Sequence, residues 1–308
     1  MNTRERIEGG IWGLLVGDAV GVPYEFHPPH EIPPLDRIEL DPPVGFSRAH
    51  LGVPPGTWSD DGAQALCLLA SLLDRGRLDI DDLGRRLLAW YEDGYLAVDG
   101  KVFDVGVQTS HALLELRAGV PAADAARKDE RANGNGSLMR VLPLALWHRG
   151  SDAELVDDAH AQSLVTHGHP RSQVCCALYC LWARRIVQGA AAPWEEAVDA
   201  LENLYEARSF THLGELSYHV RPLDEIEGRG GGYVVDCLRS ARHALNAGGY
   251  EAVVKAAIAL GDDTDTTACV AGGIAGLRDG VTAIPARWLE RLRGRELAEP
   301  LVAALSRR

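Results

Sequence analysis

The chain has 308 residues and a mass of 33.3 kDa, and 46% of its residues are hydrophobic while 24% are charged. This composition excludes an intrinsically disordered chain, because it supplies enough apolar side chains to bury a sizeable core. The 31 Lys and Arg residues stand against 44 Asp and Glu residues, and the resulting net charge of -13 disfavours generic nucleic-acid binding, since it repels phosphate backbones.

The N-terminal residues argue against a signal peptide and a membrane span. Acids alternate with bases in residues 1–8, and Asp18 interrupts the apolar run that follows. We therefore expect a cytoplasmic protein that does not act at a membrane. The six cysteines lie among apolar residues and form no Cys-x-x-Cys pair, so we expect small buried hydrophobes rather than a thiolate zinc site; they are Cys67, Cys175, Cys176, Cys180, Cys237 and Cys269.

Apolar residues at three- and four-residue spacing predict helices along most of the chain, and strand-like alternation is scarce. After an apolar N-terminal helix, the predicted helical segments are 65–73, 112–116, 153–164, 174–187, 234–245, 252–260, 266–277, 287–292 and 297–305. We predict an all-α fold in one domain, residues 1–308. The Pro- and Gly-rich segments 28–55 and 221–232 are predicted to be lids or binding loops rather than linkers between domains.

The first polar motif, residues 17–26, follows the N-terminal helix and reads GDAVGVPYEF. Gly17 and Gly21 would permit close contact with another helix or backbone segment, and Pro23 would end the helix. Glu25 would then lie on a loop. The simpler alternative is a helix end followed by an exposed acid.

Two further motifs place acids and hydroxyls before predicted helices: GTWSDD at 56–61 and GDDTDT at 261–266. Each alone fits a helix N-cap. Together they suggest a different role, because adjacent carboxylates repel one another unless a cation holds them, and hard oxygen ligands suit a pair of Mg²⁺ or Mn²⁺ ions. Alternation in a non-helical segment would aim Asp263 and Asp265 to one side, with the Thr266 hydroxyl turned inward from the first helical turn.

The remaining polar motifs point to ligand binding. Residues 133–140, NGNGSLMR, are predicted to form a turn that leads into a helix and offers amides to phosphate oxygens. His167 and His169 either line a ligand pocket or serve as hydrogen-bonded structural residues, His167 being the stronger candidate for the pocket, and neither is proposed as a metal ligand. Trp58 and Trp288 are expected in the core or at a rim.

These motifs, in this order, resemble the ADP-ribosylglycohydrolase family, which includes dinitrogenase reductase-activating glycohydrolase. The resemblance covers nearly the whole chain, through segments 17–26, 58–61, 103–106, 134–137, 166–170, 232–236, 263–266 and 284–288. It implies a single-domain orthogonal helical bundle. It also implies a binuclear Mg²⁺ or Mn²⁺ centre that cleaves the bond between ADP-ribose and an acceptor.

The resemblance further implies roles for individual residues. The metal ligands would be Ser59, Asp60, Asp61, Asp263, Asp265 and Thr266. The catalytic residues would be Glu25, Asp61 and Asp104, where Glu25 lies over the metals and Asp104 helps to handle the ribose and leaving group. The substrate would be held by Asn133, Gly134, Asn135, Gly136 and Ser137 at the diphosphate, by His167, and by Tyr233 at the distal ribose or adenine.

The expected reaction passes through an oxocarbenium-like state, with inversion implied by the resemblance and free ADP-ribose as product. The segment 103–106 favours an arginine acceptor, in a protein, over serine or a small conjugate. Alternatives are a non-catalytic ADP-ribose binder and a two-metal phosphohydrolase. Ser59 and Gly62 replace the hydroxyl residues common in the family, Thr and Thr or Ser respectively, which predicts weaker metal binding than in relatives.

Overall fold

The computed structural model describes residues 1–225 and 227–308, and it confirms the predicted all-α fold. The described ranges hold fourteen α-helices, which are α1 Thr3–Gly21, α2 Asp60–Arg75, α3 Ile80–Asp93, α4 Val107–Arg117, α5 Leu142–Trp147, α6 Asp152–Leu164, α7 Pro170–Gln188, α8 Pro193–Arg208, α9 Phe210–Gly214, α10 Val234–Ala244, α11 Tyr250–Ile258, α12 Thr264–Asp279, α13 Ala286–Leu289 and α14 Arg295–Leu305. Within the same ranges, β pairing is limited to one isolated antiparallel bridge between Gly134 and Tyr233.

The apolar spacing did not predict α3, α8 or the five-residue helix α9, and the predicted helix 287–292 runs three residues too far, since α13 ends at Leu289. The two longer missed helices carry many charged residues, with DDLGRR in α3 and WEEAVDALE in α8. Each presents an apolar stripe inward and a charged face outward, so an interrupted apolar pattern still encodes a surface helix.

Helices α1 and α12 pack against each other at very short range. Glycine recurs every fourth residue of α1 from position 9 to position 21, which places these glycines on one face. A Cβ atom added to Gly17 would lie 2.2 Å from the carbonyl oxygen of Ala268, and one added to Gly21 would lie 2.4 Å from the Cα of Asp265. The close helix contact predicted from Gly17 and Gly21 is therefore present, and it brings the end of α1 against the start of α12.

Apolar residues from both ends of the chain contribute to one hydrophobic cluster. All six cysteines are buried and free of disulfides. Trp58 and Trp288 are each 1% exposed, so both are core residues, as expected. In the part of the chain that the structure describes, none of the helices combines the length and the apolar character needed to cross a bilayer.

Candidate active site

A cavity of about 620 Å³ opens where the starts of α2 and α12 meet the segment after α1. This volume lies in the range of small-molecule sites. Seven sequence motifs from distant parts of the chain contribute to its wall. The lining residues are Glu25, Phe26, Asp60, Asp61, Asp104, Gly106, Val107, Gln108, Thr109, Gly134, Asn135, Gly136, Met139, His167, Gly232, Asp262, Asp263 and Thr266.

Carboxylates from three segments converge at the floor of this cavity. Asp18, Asp61 and Asp265 each offer an oxygen atom within 4.8 Å of the others, and so do Glu25, Asp263 and Asp265. Asp265 belongs to both groups and is fully buried beneath the cavity wall. The structure thus brings together the two acidic motifs that the sequence separates by about 200 positions.

The chemistry of this cluster fits divalent cations. The Oδ2 atoms of Asp61 and Asp265 are buried and have no hydrogen-bond partner among the described residues. Burial, together with repulsion from neighbouring carboxylates, raises the pKa of both side chains well above the ordinary value for aspartate. Buried carboxylate oxygens without donors are the hard ligands that Mg²⁺ and Mn²⁺ bind, so the residues present fit such ions.

The start of α12 corrects the sequence-based geometry. The segment is not extended, because Thr264 is already helical and Asp263 is the N-cap residue. The Thr264 hydroxyl donates to the Gly21 carbonyl at 2.8 Å, which fixes this first turn against α1. Asp263 and Asp265 therefore reach the same cluster from the cap and the first turn rather than by strand-like alternation.

The Thr266 and Asn135 side chains tie this helix start to its surroundings. The Thr266 hydroxyl donates to Asp61 Oδ1 at 3.4 Å and so links α12 to α2. The side-chain amide of Asn135 donates to Asp263 Oδ2 at 2.7 Å. Both contacts orient predicted ligands.

Ser59 is the N-cap of α2, as the simpler interpretation of its motif proposed. Its hydroxyl accepts from the Asp61 amide at 3.3 Å, and the residue is buried without lining the cavity. The amides of Ser59 and Gly62 donate to Asp18 at 2.9 and 2.8 Å. Burial raises the pKa of Asp18 to about 7. Sequence analysis assigned no role to Asp18, although a lone acid inside the apolar helix α1 was a usable signal.

The packing around Gly62 explains why a hydroxyl residue is missing there. A Cβ atom at this position would lie 2.8 Å from Leu15 Cδ2 and 2.8 Å from Trp58 Cγ. Serine or threonine would require both core side chains to move. The departure from the family pattern is therefore coupled to the packing of Trp58.

Glu25 follows the short 3₁₀ turn Val22–Tyr24 and is only 4% exposed, so the alternative of an exposed acid is wrong. Burial and repulsion from Asp104 and Asp263 raise the pKa of Glu25 to about 10. His50 Nε2 lies 2.6 Å from Glu25 Oε2. Sequence analysis missed His50, which lies in the long loop after α1.

Several residues around the cavity mouth hold left-handed backbone conformations. The φ angles are 64° at Phe26, 58° at Asp104 and 56° at Asp262. Such angles are uncommon outside glycine and mark segments that the surrounding structure holds in place. The Phe26 amide donates to the Asp262 carbonyl at 2.7 Å, and the Asp262 amide donates to the His27 carbonyl at 2.7 Å. This pair of bonds joins the Glu25 segment to the start of α12.

The glycine-rich motif lines the opposite wall, but it does not lead directly into a helix, since α5 begins only at Leu142. The Gly134 amide donates to Gln108 Oε1 at 2.9 Å, and the Asn135 amide donates to the Gly232 carbonyl at 3.1 Å. These two bonds from backbone amides hold the loop against α4, which carries Gln108, and against the segment that carries Gly232. The prediction that this motif forms a helix N-terminus is therefore wrong, because the motif lies on a loop.

Two predicted substrate residues, Asn133 and Ser137, do not line the cavity. Asn133 donates to the Glu130 carbonyl at 2.8 Å and accepts from the Ser172 hydroxyl at 3.2 Å. The Ser137 hydroxyl accepts from Ser163 at 2.9 Å. Their side chains serve the internal packing of the loop instead.

The histidines of the 166–170 motif differ in their placement. His167 lines the cavity beside Gly136, where an added Cβ would lie 2.8 Å from His167 Cε1. Burial lowers the pKa of His167 to about 3, so the ring is neutral, and Nδ1 lies 2.8 Å from the Thr166 hydroxyl. His169 is instead the N-cap of α7 and accepts from the Arg171 amide at 3.1 Å.

Tyr233 lies next to Gly232 at the rim and is 42% exposed, without lining the cavity itself. Its hydroxyl accepts from Arg171 at 3.1 Å, and Arg171 in turn donates to Glu215 at 2.7 Å. Sequence analysis identified neither Arg171 nor Glu215. The phenol ring is thus held in an orientation set by an ion pair.

Arg140 is a fully buried cation beneath the site, and sequence analysis gave it no role. It donates to Gln64 Oε1 at 3.0 Å and to the Gly136 carbonyl at 3.2 Å, while Gln64 donates to Asp60 Oδ2 at 2.9 Å. Burial lowers the pKa of Arg140 to about 10, which leaves the guanidinium charged at neutral pH. A positive charge thereby supports both the acidic cluster and the glycine-rich loop.

Comparison with known proteins gives a consistent result. The sequence model of the ADP-ribosylglycohydrolase family matches residues 1–308. The ADP-ribosylarginine hydrolase Tri1 of Pseudomonas putida is 33% identical over 290 residues, covering 94% of this chain and 74% of the relative. The ADP-ribosyl-[dinitrogen reductase] glycohydrolase of Rhodospirillum rubrum is 28% identical over 298 residues, covering 94% and 91%. A solved structure titled ADP-ribosylglycohydrolase-related protein complex matches with a TM-score of 0.77 and 32% identity, covering 99% of this chain and 98% of that one.

Proposed function

The chain belongs to the ADP-ribosylglycohydrolase family, a family of enzymes that hydrolyse glycosyl bonds, and from this premise we propose that it removes ADP-ribose from arginine side chains of modified proteins with the help of two Mg²⁺ or Mn²⁺ ions. One observation carries the proposal. The carboxylates of two distant acidic motifs meet at the floor of one cavity and keep oxygens there without donors.

The residues that would hold the ions are those of the two helix starts, which are Ser59, Asp60, Asp61, Asp263, Asp265 and Thr266. When bound, the ions would neutralise these acids, engage the ribose hydroxyls and make water more acidic. Asn135 and Thr266 orient two of the carboxylates through the hydrogen bonds described above. The protein thereby prepares the ligand geometry before any ion arrives.

Glu25 and Asp104 are the side chains to which we assign work on the reacting groups. Water adds to the anomeric carbon as the bond to the guanidine nitrogen breaks. Once the neighbouring acids are neutralised, the repulsion that raises the pKa of Glu25 is relieved, so an ionised Glu25 would orient that water and accept the proton it loses, while the leaving nitrogen takes up a proton. Asp104 orients the ribose and the guanidine at the cavity mouth. The Gly136 backbone and the neutral ring of His167 would hold the diphosphate and ribose, whereas the Gly134 and Asn135 amides are already bonded to Gln108 and Gly232.

The arginine acceptor is the finer part of the proposal. It is supported by the name of the Pseudomonas putida relative and by the acidic cavity mouth, since carboxylates pair well with a guanidinium group. Tyr233, which is fixed by Arg171, is assigned to the adenosine end. The cytoplasmic location stays a prediction of the sequence.

A direct hydrolysis assay tests the proposed function. The full chain, loaded with Mg²⁺ or Mn²⁺, is incubated with an ADP-ribosyl-arginine protein and, in parallel, with an ADP-ribosyl-serine peptide, and products are separated by chromatography and identified by mass. We expect free ADP-ribose, released faster from arginine. Tight ADP-ribose binding without release would contradict the proposal, and so would AMP with ribose phosphate as the products.

Two neighbouring asparagines provide a matched test of the metal assignment. Asn135→Ala removes the donor to Asp263, and we expect it to weaken Mn²⁺ binding by about 10- to 100-fold. Asn133→Ala removes only internal loop contacts, so it should lower the melting temperature and leave the Mn²⁺ dissociation constant unchanged. Isothermal calorimetry measures both constants, and equal metal affinities in the two variants would refute the assignment.

A further inference from the structure

The loop at residues 28–55 returns to the site through one histidine. His50 points its Nε2 atom at Glu25 Oε2 at a distance of 2.6 Å, and its side chain is 15% exposed. The φ angle of His50 is 50°, a conformation that L-residues rarely adopt unless their surroundings hold them in it. The imidazole is therefore placed by the fold rather than by local preference.

Two aromatic rings enclose this imidazole. The ring centroids of Phe26 and Phe103 lie 5.4 and 5.1 Å from that of His50. These residues immediately follow Glu25 and precede Asp104, respectively. The ring of His50 is thus packed between the two segments that carry the proposed reacting carboxylates.

The backbone of the loop is also attached to the Glu25 segment. The Ala49 amide donates to the Pro23 carbonyl at 3.0 Å. This bond ties the residue before His50 to the turn that leads to Glu25. Movement of Glu25 away from His50 would have to break it or bend the loop.

Glu25 needs such a partner because its other close neighbours repel it. Carboxylate oxygens of Asp263 and Asp265 lie within 4.8 Å of a Glu25 oxygen. An oxygen of Asp104 and a ring nitrogen of His50 also lie within 4.8 Å of Glu25 and of each other. Among the described residues, His50 supplies the one side-chain hydrogen bond to Glu25 that involves a group other than a carboxyl, since the remaining partner is Asp104. Without it, Glu25 would be repelled toward solvent.

We propose that His50 is a positioning residue that fixes the Glu25 carboxylate over the acidic cluster and aligns it with Asp104. The inference rests on the proposed function, because it assigns His50 to that same reaction. His50 acts through Glu25 and does not itself touch the reacting atoms. Its Nε2 atom is engaged by Glu25, so it is not assigned to a metal ion.

The test compares His50→Ala and His50→Gln with the unaltered full chain, and His30→Ala serves as a control because its side chain, in the same loop, is 79% exposed. With Mn²⁺ and an ADP-ribosyl-arginine substrate, we expect His50→Ala to lower kcat by about 10- to 100-fold and leave KM and the number of bound Mn²⁺ ions unchanged. His50→Gln should recover most of the lost kcat, because the amide restores a donor. His30→Ala should behave as the unaltered chain.

Each other outcome has a defined meaning. Unchanged kcat in His50→Ala overturns the inference, and equal losses in the Gln and Ala variants overturn it in favour of proton transfer by His50. Loss of one Mn²⁺ ion overturns it in favour of a metal ligand. If the unaltered chain itself releases no ADP-ribose, the proposed function fails. Hydrogen exchange in the metal-free protein then tests separately whether His50 positions Glu25. Faster exchange of residues 22–27 in His50→Ala supports the positioning of Glu25, and equal exchange overturns it.

Discussion

The Asp265→Asn variant will lose turnover and, without metal, will melt at a higher temperature than the unaltered chain. Asp265 is fully buried, belongs to both carboxylate groups and keeps one oxygen without a donor. A neutral amide removes both the cost of burying an ionisable carboxyl and the repulsion from Glu25, Asp104 and Asp61, which together raise the pKa of this side chain. We expect kcat/KM to fall by more than about 100-fold. This is more than the usual loss when a residue that only hydrogen-bonds to a metal ligand is removed.

Thermal unfolding with and without Mn²⁺ measures the predicted change in melting temperature. The unaltered chain should gain stability from the ion, since a ligand that binds only the folded state stabilises it, whereas the variant should not. In the metal-free state the variant should melt about 2 °C or more above the unaltered chain. Asp262→Asn is the matched control, because Asp262 is exposed and asparagine tolerates its left-handed backbone. A Mn²⁺-dependent gain that survives in Asp265→Asn contradicts the ligand assignment.

Gly17→Ala will destabilise the fold although alanine is the better helix former. The added Cβ would lie 2.2 Å from the carbonyl oxygen of Ala268, a backbone atom of α12 that cannot rotate away. Overpacking of this kind lowers the free energy of unfolding by about 1 to 3 kcal/mol. It would also push α1 away from the start of α12, which carries Asp265. We therefore expect weaker Mn²⁺ binding together with lower stability.

Gly10→Ala on the same helix is the control for this effect. Its added Cβ would approach only the side chains of Leu146, at 3.2 Å, and Leu277, at 3.5 Å, and these side chains can adjust. Denaturant titration should show a lower unfolding midpoint for Gly17→Ala than for Gly10→Ala. Equal midpoints would mean that the close approach of α1 and α12 is not required.

The sequence predicts the fold class and the convergence of the acidic motifs because both depend on local patterns. Apolar spacing reveals the buried helices, and acids before Ala- and Gly-rich helices reveal the cluster. The predicted strand-like alternation nevertheless misplaces Asp263 and Asp265, because α12 already begins at Thr264. The hydrogen bond from the Thr264 hydroxyl to the Gly21 carbonyl stabilises this earlier helix start through a tertiary contact.

The remaining site residues depend on contacts that leave no local pattern. His50 lies 25 positions from Glu25, in a loop whose composition predicts only irregular structure. Asn133 and Asn135 are chemically identical, and the folded loop, which pairs Gly134 with Tyr233, places Asn135 rather than Asn133 against Asp263. Loop geometry and bridge register are properties of the folded chain rather than of the motif.

The most direct test of the shared cation site is a count of bound metal. The full chain is stripped with chelator, dialysed against saturating Mn²⁺ and measured by elemental analysis alongside Asp265→Asn. The proposed binuclear centre, for which the carboxylates around Asp61 and Asp265 would supply ligands, predicts two Mn²⁺ ions per unaltered chain and a loss of binding in the variant. A chain that takes up no Mn²⁺, or a variant that retains both ions, would contradict it.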